Sequence, residues 1–149
     1  MILGKTRKVG RTIENLSVGE KLMITEKIED KDLLLYLGLT NDNNPIYIQH
    51  DFASKTVYEK PIVPPIMLTG IITSAISKHL PGPGSYLMKQ TLSFPIPAYH
   101  YSVIEFIFEV KEIHVHSNEV VIHVAAKNED NQIIVDGIFH VTPPLLENR

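Results

Sequence analysis

Residues 66–80 read IMLTGIITSAISKHL, and this stretch decides which fold the rest of the chain can adopt. Its apolar side chains recur with helical spacing, and further apolar residues widen the stripe until it runs almost all round the helix. The spacing is carried by Leu68, Ile71, Ile72, Ala75 and Ile76. Such a helix is about 22 Å long at roughly 1.5 Å per residue. Other elements must wrap it, because few of its sides can face water.

The predicted helix ends at the turn Pro81-Gly82-Pro83-Gly84, and the sequence beyond it alternates apolar and polar residues in long runs. The clearest runs cover residues 103–111, 120–126 and 133–141. A period of two is typical of half-buried strands, and the Asn-rich segments between the runs predict tight turns. The sequence therefore predicts an α+β fold in which a curved antiparallel sheet is wrapped around a long central helix.

The first half of the chain contains shorter predicted elements. Residues 1–18 have no persistent period and are expected to form a loosely held arm. Residues 21–28 alternate as a strand. Asp30 is a good cap for a helix over residues 31–37, whose leucines form one apolar side, and Gly38 is expected to end that helix.

The composition is that of a globular protein with one domain, residues 1–149, of which 44% are hydrophobic and 21% charged. Cysteine is absent, which excludes disulfides, thiolate metal sites and a cysteine nucleophile. His114, His116 and His123 lie together if their strands pair, but solvent-facing strand positions explain them better, so no metal is expected. The net charge of −3 and a single basic cluster without interleaved aromatic residues argue against nucleic acid as a partner.

Neither a membrane span nor an export signal is recognisable. The longest strongly apolar stretch, residues 62–76, is interrupted by prolines, a glycine and hydroxyl side chains and is too short to cross a bilayer. Residues 1–10 carry basic side chains without an apolar run behind them, which argues against a cleaved signal peptide. We therefore expect a cytoplasmic protein that does not associate with membranes.

A polar motif precedes the long helix, and two further blocks follow it. Residues 42–47 read Asp-Asn-Asn-Pro-Ile-Tyr, residues 80–85 read LPGPGS and residues 90–94 read QTLSF. In order and spacing these blocks resemble the MaoC-like and (R)-specific enoyl-CoA hydratase family, whose hydratase motif reads Asp-x-Asn-Pro-(Leu/Ile)-His. The resemblance runs without a gap from about residue 39 to about residue 110, and it implies a hot-dog fold.

The resemblance also implies a hydro-lyase of fatty-acid metabolism that interconverts a trans-2-enoyl thioester and its (R)-3-hydroxyacyl form. In the family, the Asp and His of the motif activate a water together, and a glycine N–H donates to the thioester oxygen. Here Asp42 is present, Tyr47 stands in place of the His, and Pro65, which has no N–H, stands in place of the glycine. The candidate catalytic residues are Asp42 and Tyr47, and the candidate substrate-binding residues are Asn44, Pro65 and Ile66.

The implied reaction uses no cofactor, and its substrate is a thioester of coenzyme A or of acyl carrier protein. Hot-dog chains commonly pair through their sheets, so the expected partner is a second copy or another hot-dog chain. Lys55, Lys60 and Lys89 are candidates for contacting coenzyme A phosphates, with ordinary solvated surface as the alternative.

Each site residue has a structural alternative that the sequence leaves open. Asp42 can hold an Asx turn, Asn44 can shape the same turn, and Tyr47 can fill the space of an imidazole without chemistry. The Pro64-Pro65 pair also resembles non-catalytic partners of heterodimeric dehydratases. The alternative function is therefore a non-catalytic subunit that binds an acyl thioester beside a catalytic hot-dog chain.

Overall fold

The computed structural model describes residues 9–145 of the chain. Within these residues the chain forms a 3-10 turn, then one strand, four helices and four more strands. The helices are α1 (Asp30–Thr40), α2 (Pro45–Ile48), α3 (His50–Ala53) and α4 (Pro65–His79). The strands are β1 (Lys21–Glu26), β2 (Tyr86–Ser93), β3 (Ile104–His114), β4 (Glu119–Lys127) and β5 (Ile133–Thr142).

The five strands form one antiparallel sheet in the order β1-β3-β4-β5-β2. Strands β3, β4 and β5 are consecutive hairpins, which confirms the prediction from their alternating pattern. Strands β1 and β2 lie at opposite edges of the sheet, although only the helices separate them in the sequence. The chain therefore crosses the sheet between β1 and β2, and α4 lies on that crossing.

Helix α4 and one face of the sheet share a single hydrophobic core. The helix contributes Leu68 and Ile72, and the sheet contributes the fully buried rings of Phe106, Phe108 and Phe139. Burying one such side chain stabilises a fold by about 1.5–3 kcal/mol, so this shared core contributes substantially to stability. The predicted central helix is thus confirmed to within a residue at each end. No helix within residues 9–145 is long and apolar enough to cross a membrane.

Helix α1 differs from its prediction at both ends. Glu29, not Asp30, is its N-cap, and Glu29 forms a capping box with Asp32. The helix continues past Gly38 and ends at Asn41, which adopts the left-handed conformation with a φ of 56°. Asn tolerates this conformation better than most residues, so it ends the helix where a glycine was expected to do so. Its leucines do not join the core, since no residue of α1 is buried.

The expected loose arm is wrong for the residues that the structure describes. The Gly10 N–H donates to the carbonyl of Pro83 at 2.7 Å, and the Arg11 N–H donates to that of Pro81 at 3.0 Å. Ile13 and Leu16 are buried. Residues 9–18 are therefore attached to the turn that follows α4, while residues 1–8 lie outside the described part of the chain.

Candidate active site

The Asp42 side chain is held by two hydrogen bonds from its own neighbourhood. Its Oδ1 accepts from the Asn44 N–H at 3.1 Å, and its Oδ2 accepts from the Tyr36 hydroxyl at 2.7 Å. The Asp42 N–H donates to the Thr40 hydroxyl at 3.2 Å. Asp42 therefore does form the Asx turn that its sequence context allowed. A carboxylate has about four lone-pair sites, so each oxygen retains room for a further donor such as water.

Asn44 shapes the same turn from the other side. Its Oδ1 accepts a hydrogen bond from the Ile46 N–H at 3.2 Å and caps α2, which begins at Pro45. The Ile46 carbonyl accepts from the Ile62 N–H at 3.0 Å, which ties the motif to the segment before α4. The structural role that the sequence allowed for Asn44 is present, and its role toward a substrate stays a prediction.

Tyr36 was missed by the sequence reasoning, although it makes the shortest hydrogen bond to Asp42. Burial, followed by the hydrogen bond to the Asp42 carboxylate, raises the pKa of Tyr36 above its ordinary value. The phenol therefore stays protonated near neutral pH and remains a donor to Asp42. Because α1 was expected to end at Gly38, no contact between Tyr36 and Asp42 was predicted.

Tyr47 is half-buried and borders a cleft of about 480 Å³. Burial raises the pKa of Tyr47, and the nearby Asp42 and Tyr58 raise it further, because negative charge on a neighbouring group disfavours the phenolate. Tyr47 is therefore a neutral phenol near pH 7. It can donate a hydrogen bond, but it cannot act as a general base.

Part of the lining of this cleft is apolar, and another part is polar and aromatic. The apolar part includes Leu33, Leu34 and Leu37 of α1, and the polar part includes residues 99–101. Tyr47 is the one candidate site residue that borders the cleft. The other candidates, Asp42, Asn44, Pro65 and Ile66, do not line it. Asp42 is linked to Tyr47 through the motif, because the Tyr47 N–H donates to the Asn44 carbonyl at 3.0 Å and the Asn44 N–H donates to Asp42 Oδ1.

The beginning of α4 lacks one backbone donor, as the sequence predicted. Pro64 is the N-cap of α4 and Pro65 its first residue, and neither has an N–H. The Met67 N–H donates to the Pro64 carbonyl at 3.0 Å. Within residues 9–145 the Ile66 N–H has no acceptor, so it is the first free donor at this helix end. Its role toward a thioester oxygen stays a prediction.

Residues 98–101 form a turn that the sequence did not identify as part of a site. The Val63 N–H donates to the Ala98 carbonyl at 2.8 Å, and the Tyr101 N–H donates to the Ile28 carbonyl at 2.8 Å. Tyr101 adopts a φ of 66°, an unusual value for a residue with a side chain. These contacts place Tyr99, His100 and Tyr101 together on the cleft.

His100 is the most unusual polar residue of the cleft. Both of its ring nitrogens are out of contact with solvent, and neither has a hydrogen-bond partner among residues 9–145. Burial lowers the pKa of His100, and the negative charge of Asp30 offsets this in part. The Ile62 backbone also favours the protonated ring, but at a geometry that does not make a hydrogen bond. No periodicity or motif singles out residue 100 in the sequence.

The candidate coenzyme-binding lysines are dispersed. Lys60 borders the cleft, and its Nζ lies 4.8 Å from the centre of the Tyr99 ring. Lys55 and Lys89 are exposed and do not line the cleft. Their contact with a phosphate stays a prediction.

Of the three histidines considered as metal ligands, His114 and His123 pair with acidic side chains on the sheet. His123 Nε2 lies 2.6 Å from Asp136 Oδ1, and His114 Nε2 lies 3.3 Å from Glu112 Oε1. Across residues 9–145, no three His, Asp or Glu side chains are grouped so that they could hold a metal ion.

Comparison with protein families and curated proteins gives consistent matches. The model of the MaoC like domain matches residues 13–132. The chain is 31% identical over 84 residues to the (R)-specific enoyl-CoA hydratase of Rhodospirillum rubrum, covering 56% of this chain and 58% of the relative. It is 31% identical over 100 residues to the 3-hydroxybutyryl-CoA dehydratase of Methylorubrum extorquens, covering 67% of this chain and 64% of the relative. The matched part thus spans less than two thirds of these curated relatives.

Solved structures match over more of the chain. The unliganded R-hydratase of Pseudomonas aeruginosa has a TM-score of 0.83 at 27% identity, covering 94% of both chains. The (R)-hydratase of Aeromonas caviae has a TM-score of 0.84 at 24% identity, covering 88% of this chain and 99% of that one. These matches confirm the hot-dog fold.

Proposed function

The chain belongs to the MaoC-like domain family, and from that premise we propose that it hydrates trans-2-enoyl thioesters to (R)-3-hydroxyacyl thioesters, and catalyses the reverse dehydration, in fatty-acid metabolism. Several relatives are hydratases or dehydratases, so the reaction class is that of a hydro-lyase. The single observation that carries the proposal is the Asp42 carboxylate, which is fixed through both oxygens in the same motif as Tyr47, a residue that borders a partly apolar cleft.

In the proposed mechanism Asp42 acts first as a base and then as an acid. Its carboxylate takes a proton from water while the water oxygen bonds to C3 of the thioester and the C2–C3 π bond breaks. The same proton is then delivered to C2 from the same side, so water is added without gain or loss of any other atom. Tyr47 donates a hydrogen bond to the water or the thioester, since its raised pKa keeps it protonated.

Charge develops on the thioester oxygen during this addition and needs a donor. We assign this role to the Ile66 N–H at the beginning of α4, where a helix N-terminus favours negative charge. Pro65 withholds the donor that the family has at its position. One such donor is worth about 3 kcal/mol in typical enzymes, so the chain should be slower than relatives that keep the glycine.

Neither a metal nor an organic cofactor is needed for this addition, because the thioester itself activates the double bond. The carrier is coenzyme A or acyl carrier protein. Lys60, on the rim of the cleft, is the lysine best placed to meet a carrier phosphate. A cytoplasmic location remains part of the proposal.

A second candidate function is favoured by the two departures from the motif. Tyr47 and Pro65 replace the two groups that assist the Asp in the family, and either change weakens catalysis. On this alternative the chain binds an acyl thioester without turnover and shapes the pocket of a catalytic hot-dog partner.

We also propose that the chain pairs, either with itself or with another hot-dog chain. Strands β1 and β2 are the edges of the sheet, and open edges are commonly covered by association. Large apolar side chains are exposed on them, including Met23 on β1 and Tyr86 and Met88 on β2. Sedimentation at micromolar concentration should give a dimer, and a stable monomer would contradict the pairing of this chain with itself.

The function is tested by adding the purified chain alone to crotonyl-CoA and following the loss of the enoyl absorbance. Hydration that yields only the (R)-3-hydroxy product supports the enzyme. Binding of crotonyl-CoA without absorbance loss supports the non-catalytic subunit instead. The chain should then raise the activity of a catalytic hot-dog partner when the two are mixed.

A further inference from the structure

The geometry points to a polar subsite in the cleft, in which His100 recognises a neutral hydrogen-bonding group, such as a hydroxyl, on the acyl chain of the thioester. This inference rests on the proposed function for the thioester itself. It adds the substrate class: enoyl thioesters whose chain carries a polar group, in preference to plain alkyl chains.

The first argument is that His100 lacks a partner within the described protein. Its two ring nitrogens are buried and unpaired, which is rare in folded proteins and calls for a physical reason. Asp30 and His50 also border the cleft and influence His100 electrostatically, yet neither makes a hydrogen bond to it. A ligand group is therefore free to supply the missing partner.

The second argument is that the other polar groups of the same part of the lining are already engaged. The Tyr99 hydroxyl donates to the Tyr58 carbonyl at 2.7 Å, and the Lys60 ammonium lies 4.8 Å from the centre of the Tyr99 ring. The Tyr101 hydroxyl accepts from the Asp30 N–H at 3.3 Å. His100 is thus the one side chain of residues 99–101 that has a complete set of hydrogen-bonding positions to offer.

The third argument concerns the kind of group. The cleft is bordered by one carboxylate, Asp30, and one ammonium, Lys60, whose charges balance. A charged ligand group would be attracted by one of these side chains and repelled by the other. Because burial lowers the pKa of His100, its ring is neutral near pH 7, with one nitrogen as donor and the other as acceptor. A hydroxyl suits either nitrogen, since it can accept from the donor or donate to the acceptor, but because the two nitrogens point in different directions it meets one of them at a time.

The shape of the cleft fits an acyl chain with such a group. Leu33, Leu34 and Leu37 offer apolar surface for methylene groups, and His100 borders the same cleft. A half-turn of the imidazole about χ2 exchanges the positions of its nitrogens and ring carbons while the ring keeps its outline. Both nitrogens are buried as the ring stands, so recognition requires this turn, which places a nitrogen where a ring carbon lay.

The test uses matched pairs of trans-2-enoyl-CoA esters of equal chain length, in which one member carries a terminal hydroxyl. For at least one chain length, kcat/KM of the wild type should favour the hydroxylated ester by about tenfold, the value of one net hydrogen bond. In His100→Leu this preference should disappear while the plain ester is still turned over. His100→Gln, which keeps a donor and an acceptor, should retain part of it.

His50→Leu is the matched control, because His50 borders the same cleft but is exposed. It should leave the preference unchanged. A wild type without preference at any chain length, or a preference that survives in His100→Leu, would overturn the subsite.

The subsite can fail or succeed independently of catalysis. If no ester is turned over, the same pairs are compared by calorimetry as dissociation constants, with the same tenfold preference expected and the same loss in His100→Leu. Turnover of plain crotonyl-CoA without any preference for hydroxylated esters would support the hydratase activity and reject the subsite. Failure of every ester to bind would reject both.

Discussion

The Asp42 loop and the turn at His100 differ in whether their polar side chains have hydrogen-bond partners. Asp42 has a partner for each carboxylate oxygen, both supplied by residues within six positions in the sequence. In the described part of the chain, His100 has no partner for either ring nitrogen. A group that is satisfied in the free protein is held in one geometry, which suits a reacting group. A group that is unsatisfied gains most when a ligand arrives, which suits recognition.

The largest effect on the hydration rate is expected from restoring both missing parts of the family motif. Tyr47→His adds an imidazole beside Asp42, and Pro65→Gly returns a backbone N–H at the beginning of α4. We expect the double variant to hydrate crotonyl-CoA about 10²–10⁴ times faster than the wild type, since each group typically contributes about 10² or more and groups that act together are not additive.

The single variants are the controls for that measurement, and each should rise by less than the double. A double variant that is no faster than the wild type would show that the Asp42 loop does not keep the geometry of its relatives.

Removing the Tyr36 hydroxyl removes one of the two hydrogen bonds to the Asp42 carboxylate. Tyr36→Phe should lower kcat by about tenfold, the effect of losing one hydrogen bond to a charged group, while KM changes little. Circular dichroism should show an unchanged fold, because Tyr36 is outside the core. Unchanged kcat would mean that the Asn44 N–H alone is enough to position the carboxylate.

Replacing the unpaired imidazole should make the protein more stable. His100→Leu removes two buried polar atoms without partners, so we expect the free energy of unfolding to rise by about 1 kcal/mol in urea at pH 7. A loss of stability of similar size would show that the nitrogens have partners in solution and would weaken the contrast with Asp42.

His100 should also make the free energy of unfolding depend slightly on pH. The pKa of His100 is lowered in the folded protein, so the unfolded chain takes up a proton first as pH falls through the ordinary value near 6.5. The folded state therefore loses stability over the range from about pH 7 downward to the lowered pKa. His100→Leu should lose less stability over this range, and parallel curves for the two proteins would contradict the assignment.

Much of the fold was predictable, because it depends on periodic patterns. Helix α4 and strands β3 to β5 follow from spacings of 3.6 and 2 residues, and the structure confirms them. The placement of β1 and β2 at opposite edges was not predictable, since neither strand's pattern says which neighbour it pairs with. The end of α1 was predicted wrongly because Gly38 is a stronger stop signal than Asn41.

The site was predictable only where a local motif marks it. Asp42 and Tyr47 were found because the motif is contiguous. Tyr36 was missed because the error at the end of α1 separated it from Asp42. His100 was missed because tertiary contacts from Ile28 and Val63 create its turn, and the sequence around it carries no sign of them.

The central claim is that Asp42 is the base, and one side-by-side measurement tests it. The kcat/KM for crotonyl-CoA is compared for the wild type, Asp42→Asn and Tyr47→Phe. We predict a loss of about 10²–10⁴-fold for Asp42→Asn, the usual contribution of a general base, and a much smaller loss for Tyr47→Phe. Equal losses in the two variants, or full activity in Asp42→Asn, would contradict the claim.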